Sequence, residues 1–329
     1  MKNNQVAVIG AGAFGCALAL AFARAGRAVL LWGRDSTRMA EMATTRLCGE
    51  ALPGMALEAG ILPTSDLGTA CKPGVIVAAI PTQNLHEVAK TMRGLISPNA
   101  AIISAAKGIE RSSGAFVTDI LAQALGSHRF GVISGPSFAM DIARKLPTAI
   151  SLAMPDSADA EALAHYLSSP GLRLYHTSDV RGVEIGGAAK NVLAIAAGII
   201  AGMGLGESAR AAMVARGFAE LRRYADAFGA RAETLMGLSG LGDLVLTASS
   251  TQSRNYSLGL ALGAGKSLAE ANPTGKLAEG AFTAAILAKS ARDQGVEMPI
   301  VEAVAAVLDE TMSVREAVMG LMARPLKGE

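Results

Sequence analysis

Lys190 and Asn191 interrupt an otherwise apolar run, GGAAKNVLAIAAG. Burial disfavours an ammonium and lowers its pKa, which tunes a lysine for general acid/base work near neutral pH. A lysine whose stem follows the helix until its head reaches water is the competing account. Further on, GLSGLGDLVLT places Asp243 in a glycine-rich turn, where its carboxylate would hold a substrate hydroxyl, orient Lys190, or serve only as a turn residue. Next comes Ser253-Arg254-Asn255 at the start of a helical pattern. A hydroxyl, a guanidinium and an amide there make a phosphate grip, combining charge-assisted hydrogen bonds with helix N-terminal amides. A plain N-cap by Ser253 followed by a solvated arginine would use the same residues.

A second group of residues points to a nucleotide. Gly10, Gly12 and Gly15 fit G-x-G-x-x-G between a short apolar strand and an Ala-rich helix. The first permits the tight turn, the second lets backbone approach a pyrophosphate, and the third lets helix and strand pack closely. The second strand, AVLLW, should end beside the adenosine ribose, about twenty residues past the glycines. An acid there favours NAD; Arg34 stands there instead, suited to stacking on adenine and pairing with a 2′-phosphate. The expected coenzyme is NADP(H), with NAD(H) left open because Asp35 is next door. A solvated surface arginine is the alternative for Arg34.

These residues need a scaffold, and an open parallel sheet gathers ligands at the carboxyl ends of its strands. Lys107 follows AIIS, Gly135-Pro136-Ser137 follows VIS, and Pro81–Gln83 follows VIVAAI. Each cluster alone also reads as a turn or a helix start. The strands expected are AVLLW, VIVAAI, AIIS, VIS, AISLA and LRLYH, separated by crossovers. From about residue 180 the strand signal vanishes, and helices are expected near 180–203, 206–228, 254–263, 278–294 and 300–321. The fold class expected is α/β: a doubly wound dinucleotide-binding domain over 1–179 and an all-helical substrate domain over 180–329, with the ligand cleft at their junction.

Composition agrees. The 329 residues suit two domains, and a net charge of +2 with no basic stripe argues against nucleic acid. Cys16, Cys48 and Cys71 lack C-x-x-C spacing, no metal site is expected, and a reducing cytoplasm is the simple reading. Cys16 reads as a packing residue. The apolar N-terminus contains the glycine turn and lacks a signal-peptide layout. The Val192–Ile200 run is too short to span a bilayer, so an integral membrane protein is not expected.

Taken in order, GAGAFGCALA, AKGIE, GPSFA, AAKNVLAIAAG, GLSGLGDLVLT, SRNYSLG and KLAEG resemble the bacterial-type NAD(P)-dependent glycerol-3-phosphate dehydrogenases over nearly the whole chain. The resemblance implies reversible hydride transfer between NAD(P)H and dihydroxyacetone phosphate, supplying sn-glycerol 3-phosphate for glycerophospholipid synthesis. It implies Lys190 as the acid/base, with Lys107, Gly135, Ser137, Asp243, Ser253, Arg254 and Asn255 around the substrate. It puts Ala13, Phe14, Arg34, Lys107, Ala139, Arg254, Leu277 and Glu279 along NADPH. Ala13, Ser137 and Leu277 stand where the family often has Ser, Thr and Val. A homodimer is left open. Hydroxyacid or 6-phosphogluconate dehydrogenases share the Lys-Asn pair but not the Ser-Arg-Asn grip, and a non-catalytic nucleotide sensor would need no Lys190.

Overall fold

The computed structural model describes residues 4–272 and 278–325. The chain forms two compact units, one from Met1–Lys107 with Ala115–Glu184, the other from Gly108–Gly114 with Ile185–Glu329.

The first unit is an eight-stranded sheet: β1 (Gln5–Ile9), β2 (Ala28–Trp32), β3 (Ile61–Thr64), β4 (Val75–Ala78), β5 (Ala101–Ser104), β6 (Arg129–Ser134), β7 (Thr148–Ala153) and β8 (Leu172–Thr177). Their order is β3-β2-β1-β4-β5-β6-β7-β8. The first six strands are parallel and follow the doubly wound dinucleotide-binding order, which reverses between β1 and β4. Alternation sets the two faces. Val6, Val8, Leu31 and Val77 pack with helix α1 (Ala13–Arg24), while Ala7, Ile9, Leu30 and Ile76 pack with Leu85, Met92 and Ile120 behind the sheet.

Two features depart from the sequence expectation. β3 was not among the expected strands; on an edge strand the missing N–H of its Pro63 is harmless. β7 runs antiparallel to β6, so the sheet is not uniformly wound. β7 and β8 are parallel again.

The second unit is all-helical among the described residues. The lysine helix (Val180–Gly202), which enters this unit at Ile185, is 23 residues long. Length therefore does not argue against a membrane span, contrary to the reading of the shorter apolar run. The decisive facts are that every residue from Gly182 to Ile199 is buried in the protein and that a paired lysine lies in its middle. The arginine helix (Arg254–Gly263) crosses it backbone to backbone. A Cβ on Gly259 would stand 2.0 Å from the Ile195 carbonyl oxygen, one on Gly198 2.2 Å from that of Tyr256, and one on Gly263 2.3 Å from that of Ile199. Only glycine allows that approach. Buried Glu220 accepts the Ile300 N–H at 2.9 Å and so caps the helix Pro299–Leu308, whose own N-cap residue offers no side-chain acceptor. The single helix expected over 300–321 is two, Pro299–Leu308 and Val314–Met322, because Ser313 and Glu316 form a capping box that starts a new one.

Candidate active site

The glycine turn of the first unit has the shape its sequence requires. Gly10 has φ +117° and lies so close to β4 that a Cβ would be 2.4 Å from the Ala79 carbonyl oxygen; one on Gly15 would be 1.8 Å from the Gly10 carbonyl oxygen. Gly12 differs. Space beyond it is open, and as N-cap of α1 it leaves the first-turn N–H groups of Ala13, Phe14 and Gly15 without a side-chain acceptor. An open cradle at an uncapped helix N-terminus fits a pyrophosphate.

Beneath this turn Cys16 is fully buried. A hydrogen bond with Cys48, and then burial, push its thiol up, so it is an inert packing residue. At the end of β2, Gly10 N–H donates to the Trp32 carbonyl at 2.9 Å, which ties the two strand ends together. Arg34 is exposed. Asp35 accepts the Arg38 N–H at 3.0 Å and caps helix α2 (Ser36–Thr45). Arg38, which the sequence reading overlooked, donates from Nη2 to the Ala11 carbonyl at 2.8 Å.

Three other residues of this unit meet at the ends of β5 and β6. Lys107 Nζ donates to the Gly135 carbonyl at 2.9 Å and lies 5.6 Å from the centre of the Phe14 ring. Ser137 Oγ donates to the same carbonyl at 2.8 Å. Ser137 therefore does not cap the following helix, Ala139–Ala143, which has no side-chain cap. Gly135 has φ +150°, and a Cβ there would be 2.8 Å from Ile150 Cα. Ala139 and Phe14 each pack against the sheet core.

In the second unit Lys190 does not reach water: it is 5% exposed, and its Nζ lies 2.6 Å from Asp243 Oδ1, itself 1% exposed. Its second acceptor is Thr247 Oγ1, 2.9 Å away. Thr247 in turn donates to the Asp243 carbonyl at 2.5 Å. The segment read as a turn is a π-helix, Leu238–Gly242, running straight into the α-helix Asp243–Thr247. That geometry puts Asp243 and Thr247 one turn apart on one face.

The Ser253-Arg254-Asn255 triplet is tied to the same helix. Asn255 Nδ2 donates to Asn191 Oδ1 at 2.9 Å, and Asn255 Oδ1 accepts the Gly280 N–H at 2.9 Å. Ser253 is the N-cap of the arginine helix, accepting from Tyr256 N at 3.2 Å, and Arg254 is its exposed first residue. Glu279 opens the helix Glu279–Asp293. Leu277 lies outside the described residues. Asn191 and Thr247 have side chains in these networks; Thr247 was hidden because a turn has no helical face to count along.

A Rossmann sheet joined to a helical unit with a buried lysine-carboxylate pair defines the class of two-domain nicotinamide-dependent dehydrogenases. Family models described as the N-terminus and C-terminus of NAD-dependent glycerol-3-phosphate dehydrogenase match residues 5–160 and 179–319. The chain is 55% identical over 326 residues to a protein of Azorhizobium caulinodans named glycerol-3-phosphate dehydrogenase (NAD(P)+), covering 99% of this chain and 98% of that one. Identity to the Methylobacterium radiotolerans protein of the same name is 54% over 328 residues, covering 99% and 98%. The crystal structure of glycerol-3-phosphate dehydrogenase from Coxiella burnetii superimposes with TM-score 0.91 at 37% identity, covering 98% of this chain and 99% of that one. The chain belongs to the NAD-dependent glycerol-3-phosphate dehydrogenase family and is an oxidoreductase.

Proposed function

We propose that this chain interconverts dihydroxyacetone phosphate and sn-glycerol 3-phosphate, using NADP(H) by preference and NAD(H) as an alternative. In this reading it works in the cytoplasm, with a homodimer left open, and supplies glycerol 3-phosphate for glycerophospholipid synthesis. Residues 1–179 form the coenzyme domain and 180–329 the substrate domain. The observation that carries the reading is the buried Lys190–Asp243 pair on a helix tied through Asn191 to the Ser-Arg-Asn triplet.

When bound, the nicotinamide supplies the hydride that reduces the ketone carbon. The chain's residues do the rest. Lys190, held as an ammonium by Asp243 and Thr247, gives its proton to the oxygen that gains negative charge. Lys107 adds positive charge, and Ser137 and the Gly135 backbone complete the polar surface on which the substrate oxygens rest. Arg254 and Asn255, with Ser253 fixing the helix start, grip the phosphate. The Gly10-Gly12-Gly15 turn holds the pyrophosphate, with Ala13, Phe14, Arg34, Ala139, Leu277 and Glu279 as further coenzyme contacts. Coenzyme absorbance followed with dihydroxyacetone phosphate plus NADPH or NADH, and in reverse with 6-phosphogluconate, tests substrate class and coenzyme together. Turnover only with 6-phosphogluconate, or coenzyme binding without turnover, would refute the reading.

A further inference from the structure

The adenosine end of the glycine turn holds a second guanidinium that the reaction does not explain. Arg38 occupies the first turn of α2 and donates one N–H to the Ala11 carbonyl at 2.8 Å. Ala11 belongs to the glycine turn itself. Its Cβ would be 3.2 Å from a Cβ placed on Gly33, so the residue just before Arg34 packs against the same peptide. Arg34 and Arg38 thus leave the chain on either side of one anchoring point, at the end of β2, where the ribose of a dinucleotide lies.

Two further facts fix the electrostatics. Asp35, the one acid between them, turns an oxygen to the Arg38 backbone N–H as a helix cap. Neither Arg34 nor Arg38 forms an ion pair among the described residues. A guanidinium has five N–H donors in a rigid fork, and the Ala11 carbonyl takes one of those on Arg38. A protein that only needed to brace its glycine turn has no use for a second uncompensated cation there; a dianionic phosphate has.

We propose that Arg38 is a specificity-determining residue: seated on the Ala11 carbonyl, it holds the 2′-phosphate of NADP(H) jointly with Arg34. The carbonyl contact makes the fork rigid, so that little side-chain freedom is lost when the phosphate arrives. This rests on the NADP(H) reading above and adds to it a residue outside the end of β2.

NADPH and NADH differ only in the 2′-phosphate, so fluorescence titration of each against the full-length protein isolates the interaction. Arg38→Gln keeps an N–H donor for Ala11 and removes the charge. Its dissociation constant for NADPH should rise about tenfold or more, while that for NADH changes by less than about threefold. Arg38→Lys should fall between, because an ammonium keeps charge but not the fork. Equal weakening of both coenzymes makes Arg38 a brace of the turn and overturns the proposal, as does an unchanged NADPH constant. Unchanged NADH binding also shows that the variant is folded. If the wild-type protein binds both coenzymes equally, the NADP(H) preference fails and this inference with it. If the wild type prefers NADPH and Arg38→Gln keeps that preference, only the inference fails.

Discussion

Lys190 Nζ and Asp243 Oδ1 are 2.6 Å apart, with both side chains almost wholly out of water. Each charge is tolerable there only because of the other; breaking such a pair from one side costs about 3 to 5 kcal/mol. Lys190→Ala should therefore lose about 10²- to 10⁴-fold in turnover, and it should also melt earlier than the wild type. Lys190→Arg keeps the charge but does not release a proton near neutral pH, so it should be nearly as inactive while melting closer to the wild type. Near-normal turnover in Lys190→Arg would remove the acid/base role.

Asp243→Asn removes the charge that favours the ammonium. With the pair broken, kcat for ketone reduction should fall by about 10²-fold while the dissociation constant for NADPH stays unchanged. A variant that loses thermal stability but keeps near-normal turnover would mean that Asp243 only supports the fold.

Thr247→Val deletes the second acceptor of Lys190 without changing size much. One hydrogen bond of about 1 kcal/mol predicts a fall in kcat of roughly fivefold with KM for the phosphorylated substrate unchanged, and Thr247→Ser should recover most of it. A rise in KM alone would contradict the positioning role.

Arg254→Ala should raise the Michaelis constants of both substrate and coenzyme, since a charged hydrogen bond is worth about 1.5 to 3 kcal/mol. Steady-state kinetics with unchanged substrate affinity would exclude Arg254 from the phosphate grip.

Stability should depend on pH through two buried glutamates. Burial pushes Glu184 up to about 7 from 4.5, against the pull of Arg181 and Thr118. Burial does the same to Glu220, against the pull of the Ile300 and Val301 amides. A folded-state pKa above the unfolded one means that protonation favours the fold: the contribution is full below about pH 4.5 and is lost as pH rises through about 7. The shift corresponds to something on the order of 3 kcal/mol per group. Urea denaturation across that window should show a smaller decline with pH in Glu184→Gln than in the wild type; equal slopes would reject the assignment.

The parts legible in the sequence were those set by local chemistry. Gly10 and Gly15 announce a turn whose backbone approaches nothing but glycine tolerates, Gly12 leaves the space beyond it open, and Lys190 announces itself by standing among alanines. What could not be read was set by partners distant in the chain. The direction of β7 depends on its pairing with β6, and the edge strand at Pro63 forms only because β2 lies beside it. The π-helix over Leu238–Gly242 was concealed by glycines that read as a turn, yet Gly240 sits there because a Cβ would be 2.0 Å from the Leu235 carbonyl oxygen. Arg38 lies beyond the strand end, inside a helix, and only the folded chain shows its guanidinium reaching back to the glycine turn. The Ser313 capping box is legible in the sequence as a serine followed three residues later by Glu316.

The glycine contacts between the lysine and arginine helices bear on how this enzyme's substrate range can drift. Because main chain touches main chain at Gly198, Gly259 and Gly263, enlarging any of the three would force the lysine and arginine helices apart and strain the Asn191–Asn255 side-chain tie between them. Under the roles proposed for Lys190 and Arg254, moving the two helices apart to accept a longer phosphorylated ketone is out of reach of single substitutions at that crossing. It would require a new helix crossing, so the length of the accepted carbon chain should be among the slowest properties of this enzyme to evolve.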